Sequence, residues 1–172
     1  MDIRPGMVGV EPVWDSSFGF AATLGQALIR PRAGRSLRYA HAFIITSWDA
    51  DNDFGFDVSS SADGGAYIEP ADDFDLIHAL VFDPFPDLDD HERRRIAEHA
   101  EALVGSPYSF RAIARVGLSA LLRRDLAPTG PAPFCSALVA ESFARAGHPL
   151  FDKPSHLVTP SDLADLARSS AP

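Results

Sequence analysis

AHAFIITSWDADNDFGFDVSSSADGGAYIEP, residues 40–70, decides how this chain folds. Residues 40–48 are rich in β-branched and aromatic side chains and read as a strand. DADNDFG follows as a turn, and FGFDVSSS, residues 54–61, reads as a second strand hairpinned to the first. The DGG at 63–65 supplies a tight turn, and AYIEP is a short third strand. Strand side chains alternate, so His41, Phe43 and Ile45 share one face, while Asp57 and Ser59 share a face that excludes Phe56 and Val58.

Outward from this hairpin the pattern extends both ways. Upstream, MVGVEP (7–12) suits a short strand, FGFAATLGQALI (18–29) a short helix, and IRPRAGRSLR a basic loop. Downstream, LIHALVFDP (76–84) reads as a fourth strand. The period then changes. DLDDHERRRIAEHAEALVG begins with acidic capping residues and ends in glycine, with Ile96, Ala100, Leu103 and Val104 as its apolar stripe. SPYSFRAIARVGLSALLRR predicts a second helix after a Ser-Pro break, and DLAPTGPAPF a Pro-rich loop. CSALVAESFARAG predicts a helix that stops at Gly147, and TPSDLADLARS a last one capped by Thr159 or Ser161. No repeat or linker divides the chain. The expectation is one α+β domain over 1–172, a small antiparallel sheet packed against helices.

Bulk properties narrow the function. The 172 residues suit one core, with 46% apolar and 23% charged residues. Acidic residues outnumber basic ones 24 to 15, and the formal charge of −9 argues against nucleic acid or an anionic membrane as partner. The arginines of RPRAGRSLR and LLRR form a local basic patch or a solvated face. No apolar run approaches the ~20 residues of a membrane span, so no stable membrane insertion is expected. MDIRPGMVGVEPVWD lacks a basic stretch followed by an apolar core, and the single cysteine excludes an internal disulfide. A cytoplasmic protein is expected, unless it is exported without a cleaved signal.

Cys135 stands in the first turn of its helix, where unpaired N–H groups and the helix dipole favour a thiolate and can hold an oxyanion. A free cysteine is also among the most buried residue types, so a core thiol is the competing reading. Of six histidines, His41 opens a strand with apolar neighbours on its own face, His78 interrupts an apolar run, His91 and His99 lie in a charged helix, and His148 and His156 lie in loops. His91 and His99 are eight apart, against four in a metalloprotease helix, and no metal site is expected. GxSxG, GxGxxG and the P-loop are absent.

The joint order RPG, YAHAFIIT, FDVSSSADGGAYIEP, GSPYSF, FCSALVAESFARAG, TPSDLA resembles the circularly permuted papain-like cysteine hydrolases of the NlpC-type amidase superfamily, the YaeF/YiiX-like group, over roughly residues 4–166. The resemblance implies a permuted papain-like fold in which the histidine precedes the cysteine. It implies Cys135 as nucleophile, His41 as base and Asp57 as the group orienting His41, with an exposed strand aspartate the plain alternative for Asp57. Tyr39, and Ser136 beside the nucleophile, match substrate or oxyanion positions. The chain departs from the pattern at Met7, Ala40 and Ala137, where relatives carry aspartate, serine and glutamate. The implied activity is that of a cysteine amidase or peptidase, without metal or organic cofactor, acting on a peptide or amide, a cell-wall peptide or a lipid among the options. A thiol-dependent acyltransferase or lipid esterase with Phe18, Phe20 and Leu24 lining an apolar groove is the second reading, and a catalytically silent binding domain the third.

Overall fold

The computed structural model describes residues 2–12, 39–61, 65–72, 76, 78–107 and 134–170. Among these, five strands form one antiparallel sheet: β1 Val8–Pro12, β2 Tyr39–Asp49, β3 Phe54–Ser61, β4 Gly65–Asp72 and β5 Leu80–Phe82. Their order is β4-β3-β2-β1-β5, which puts β2 at the centre. Three α-helices follow: α1 Asp90–Glu101, α2 Cys135–Ala146 and α3 Pro160–Ser170, with a 3-10 turn at Ser155–Leu157. The α+β architecture matches the expectation. The helices anticipated at 18–29 and 108–124 and the basic loop before Tyr39 lie outside the described residues. No described helix is long and apolar enough to cross a membrane.

The β2–β3 hairpin closes through the aspartates and asparagine of its turn. Asp51 N–H and Asn52 Nδ2 both donate to the Asp49 carboxylate, at 3.0 and 2.7 Å, beside the backbone turn bond from Asn52 N–H to the Asp49 carbonyl at 3.3 Å. The register runs Ile44↔Val58 and Ile45↔Asp57, then shifts by one residue between Ile45 and Ser47. Beyond the shift Trp48 pairs with Gly55, and a Cβ on Gly55 would fall on the Ser47 carbonyl, so the bulge needs glycine there.

The sheet carries an apolar cluster on each face. On one, Val8, Val10, Ala42, Ile44 and Val58 pack with Ile96, Ala100, Leu138, Phe143 and Leu163 of the three helices. On the other, Phe43 and Ile45 join Met7 under Ile3, Leu76, Ala79 and Val81. Gly9 belongs to this second face: a Cβ there would fall inside the Phe43 ring, which lies across the bare strand.

Helix α1 starts with a capping box, Asp89 accepting from Glu92 N–H while the Glu92 side chain accepts from Asp89 N–H. Ile96, Ala100 and Leu103 are buried as the stripe requires, but Val104 lies beyond the helix and is 40% exposed. The expected strand at 76–84 is shortened to Leu80–Phe82, because Leu76 and His78 adopt helical backbone and Leu76 packs over the Phe43 cluster instead. Helix α2 ends at Gly147 in the left-handed region, φ 94°, as its sequence predicts. At the start of α3 the cap is Thr159, whose Oγ1 accepts from Asp162 N–H while Asp162 Oδ2 accepts from Thr159 N–H at 2.7 Å.

One buried cation ties the pieces together. Arg93, 2% exposed, pairs with Asp83 at 2.8 Å and donates to the carbonyls of Phe85, Pro86, Leu88 and Pro5. It thus joins α1, the 83–88 segment and the turn leading into β1. Without Arg93, the largely buried Asp83 carboxylate keeps only a longer pair with Arg4 at 3.7 Å and the Phe85 N–H, and four backbone carbonyls lose their donor. Arg93→Ala is expected to cost about 3–5 kcal/mol in urea unfolding. A loss below about 1 kcal/mol would show that the pair does not anchor the fold.

Candidate active site

Helix α2 is buried nearly all round, including Cys135, Ser136, Leu138, Val139 and Phe143. Its start is unusual. The N-cap is Phe134, and no side chain caps the first turn. The orphan N–H groups there are therefore left for another acceptor. The backbone N–H groups of Ala42, Ser136 and Cys135 lie near the Cys135 sulfur and favour its charged form. The sulfur thus lies against the peptide that links His41 to Ala42 in β2. Cys135 is itself 6% exposed.

His41 lies where β2 departs from regular pairing. Glu11 pairs with His41, but Pro12 pairs with Tyr39, so Ala40 is an extra residue on β2. Bulges of this kind re-aim side chains. Tyr39 consequently turns into the helix-side core, 7% exposed, with the Arg168 guanidinium 5.3 Å from its ring centroid. The His41 ring points to the other face, where its Nε2 stands 2.7 Å from Ser59 Oγ.

A cavity of about 280 Å³ opens beside this ring, lined by Glu11, His41, Phe43, Asp57, Tyr67 and Glu69. The register explains the grouping, since Glu11 faces His41, Asp57 faces Glu69 and Ser59 faces Tyr67 across adjacent strands. Burial, and then the Glu69, Asp57 and Glu11 carboxylates, push the Tyr67 phenol well above its usual range. Among the described residues no cluster of three or more His, Cys, Asp or Glu side chains is set to hold a metal ion.

The residues predicted from sequence meet in part. Cys135 and His41 approach one peptide of β2, but no hydrogen bond joins their side chains. Asp57, 5% exposed, lines the cavity with His41, whereas the ring's own hydrogen bond goes to Ser59. Ser136 donates its hydroxyl to the Val158 carbonyl at 2.8 Å, which leaves only its backbone N–H for a bound oxyanion. Glu11, Tyr67 and Glu69 were not singled out from the sequence. The alternation in MVGVEP and AYIEP places them on one face, but only the strand order brings that face to His41. Phe18, Phe20 and Leu24 lie outside the described residues. The chain matches no family model and no curated protein.

Burial dominates the electrostatics. It pushes the Cys135 thiol up to about 11, the three N–H donors and the helix terminus notwithstanding. Burial thus outweighs the pull of the helix terminus toward a thiolate. Burial also lowers His41 to about 4. At neutral pH the two therefore rest as thiol and neutral imidazole, not as an ion pair.

Both shifts are linked to stability. Between pH 6.5 and 4 the unfolded chain binds a proton at position 41 that the folded chain refuses, so stability falls as the pH falls across that window. The expected loss is up to about 3 kcal/mol. Above pH 9 the unfolded thiol ionises while the folded one does not, so stability falls again as the pH rises toward 11. Urea unfolding of the wild type and of His41→Gln at pH 7 and pH 4.5 measures the first effect. The variant is expected to lose less stability between the two, and equal losses would contradict the burial of a neutral ring.

Proposed function

We propose that the chain is a cysteine-dependent hydrolase, an amidase or peptidase of the permuted papain-like, NlpC-type kind. Cys135 is the nucleophile and His41 the base. The observation that carries this reading is the seat of the sulfur: the uncapped start of α2, against the His41–Ala42 peptide. A structural cysteine needs only an apolar hole. This one is met by backbone N–H donors of the type that hold a tetrahedral oxyanion.

The chemistry follows from the neutral resting pair. As the sulfur forms its bond to the substrate carbonyl carbon, the thiol proton passes to His41. The carbonyl oxygen takes the negative charge and is held by the first-turn N–H groups of α2. The imidazolium gives its proton to the leaving amine as the carbon–nitrogen bond breaks, which leaves a thioester. Water, deprotonated by His41, then attacks the thioester, releasing the acid and regenerating the thiol. The steps as written require neither metal nor organic cofactor. Buried hydrogen-bond donors raise the value of the oxyanion contacts, because the surroundings are poor in water.

Incubation with peptide amides and with short-chain esters, followed by mass spectrometry, tests this. An acyl adduct confined to Cys135 is the expected product, formed from amides in preference to esters. Cys135→Ala should abolish the adduct, and His41→Ala should slow its formation by about 10²–10⁴-fold. Iodoacetamide labelling supplies a second check. Labelling of Cys135 should be slow at pH 7 and climb steadily toward pH 11, in line with the raised thiol. No adduct with either substrate class, together with labelling indifferent to His41→Ala, would sink the hydrolase reading.

A further inference from the structure

The hydroxyl of Ser59 stands at the junction of two contacts: His41 Nε2 at 2.7 Å and the Ala42 carbonyl oxygen at 3.0 Å. A serine has one proton to give. A carbonyl oxygen has none. If Ser59 donated to the ring, its oxygen would face the Ala42 carbonyl as one acceptor against another, at hydrogen-bond distance. Both contacts are hydrogen bonds only when Ser59 donates to Ala42 and accepts from the ring. His41 Nε2 must then carry the ring proton.

We infer that Ser59 is the positioning residue of His41: its hydroxyl, held by the Ala42 carbonyl, fixes the ring in the Nε2–H tautomer and leaves Nδ1 as the sole basic nitrogen. The inference rests on the reading of His41 as the base. Covalent geometry supports the pairing with Cys135. Nδ1 is the ring nitrogen nearer the main chain, and the sulfur sits at the N–H of the next residue, Ala42. The arrangement also survives the reaction. When Nδ1 takes the thiol proton, Nε2 keeps its own and goes on donating to Ser59, so no partner has to turn.

The role is held by a neutral group, and this has a chemical consequence. A carboxylate on Nε2 would stabilise the imidazolium and raise the ring's basicity. Several charged or titratable groups surround the ring: Glu11 from β1, Asp57 from β3, Tyr67 and Glu69 from β4, and Cys135 from α2. The direct ring bond nevertheless goes to a hydroxyl that is wholly buried. A hydroxyl orients without adding charge, which suits a base that must stay neutral in a buried site until the thiol reacts.

Sequence alone pointed to Asp57 for this role, so the test compares the two. Long-range proton–nitrogen correlation spectra of ¹⁵N-labelled protein at pH 7 report the tautomer of each histidine, and His41→Gln assigns the signal. The wild type should show His41 purely as Nε2–H. Ser59→Ala should release a mixture of both tautomers, while Asp57→Asn should leave the ring unchanged. A wild-type ring protonated at Nδ1 would overturn the inference, even if no variant folds. So would a single unchanged tautomer in Ser59→Ala, or release of the second tautomer by Asp57→Asn in its place. Iodoacetamide labelling separates this from the catalytic reading. If His41→Ala labels at the wild-type rate, His41 is not the base for Cys135. The tautomer spectrum still decides whether Ser59 sets the ring.

Discussion

A β-strand must send successive side chains to opposite faces, and β2 is the strand on which this rule bears hardest. It sits at the centre of the sheet, so both of its edges are paired, and apolar clusters pack on both of its faces. Ala42 and Ile44 are committed to the helices, and Phe43 and Ile45 to the smaller cluster behind. A one-residue slip would exchange the two sets and bury the His41 ring in the helix-side core. The hairpin turn at Asp49 and the apolar demand of both faces therefore fix where His41 points. The extra residue at Ala40 then frees Tyr39 from the same alternation and lets it return to the helix-side core. Regular pairing holds β2 from His41 to Ile45, between one irregularity toward the hairpin turn and another at the end where the candidate site lies.

At that end two opposing effects act on one sulfur. The uncapped start of α2 offers it N–H donors and a positive dipole end, which favour the thiolate. Removal from water favours the thiol. Burial is the larger effect here, and the same burial keeps the imidazole neutral. A charged resting pair would have to be sustained in a largely buried site, and nearby Glu11 adds a further penalty for a thiolate. A neutral pair avoids that cost, and in the proposed reaction charge would develop only when a substrate carbonyl supplies an oxyanion for the N–H groups to hold.

Much of this was legible in the sequence because it rests on local rules. The hairpin, the cap at Asp89, the stop at Gly147 and the seat of Cys135 at a helix start each follow from residues a few positions apart. Failures came where a distant contact decided. Leu76 and His78 read as strand until the Phe43 cluster claims Leu76. Val104 fits a helical stripe, but the helix ends before it. Ser59 is the instructive case. Within SSS at 59–61 nothing marks one serine over its neighbours, and alternation puts Asp57 and Ser59 on the same face. Register brings the Ser59 hydroxyl to 2.7 Å from Nε2, a placement that side-chain type alone does not signal.

The site also depends on an anchor remote from it. β1 carries Glu11 opposite His41 and Gly9 beneath the Phe43 ring, so the cavity requires one register of β1 on β2. That register is pinned at its start: Gly6 N–H donates to the Ile45 carbonyl, and Ile45 N–H donates to Met7, at 2.8 and 2.9 Å. Arg93 holds the Pro5 carbonyl just before it while gripping Asp83, which follows β5 on the far side of β1. Shifting β1 by one residue would bring Val8 or Val10 under the Phe43 ring, where only a bare backbone fits. It would also carry the Glu11 carboxylate away from the imidazole. The buried guanidinium thus acts on the candidate site through strand register, without touching any residue of it.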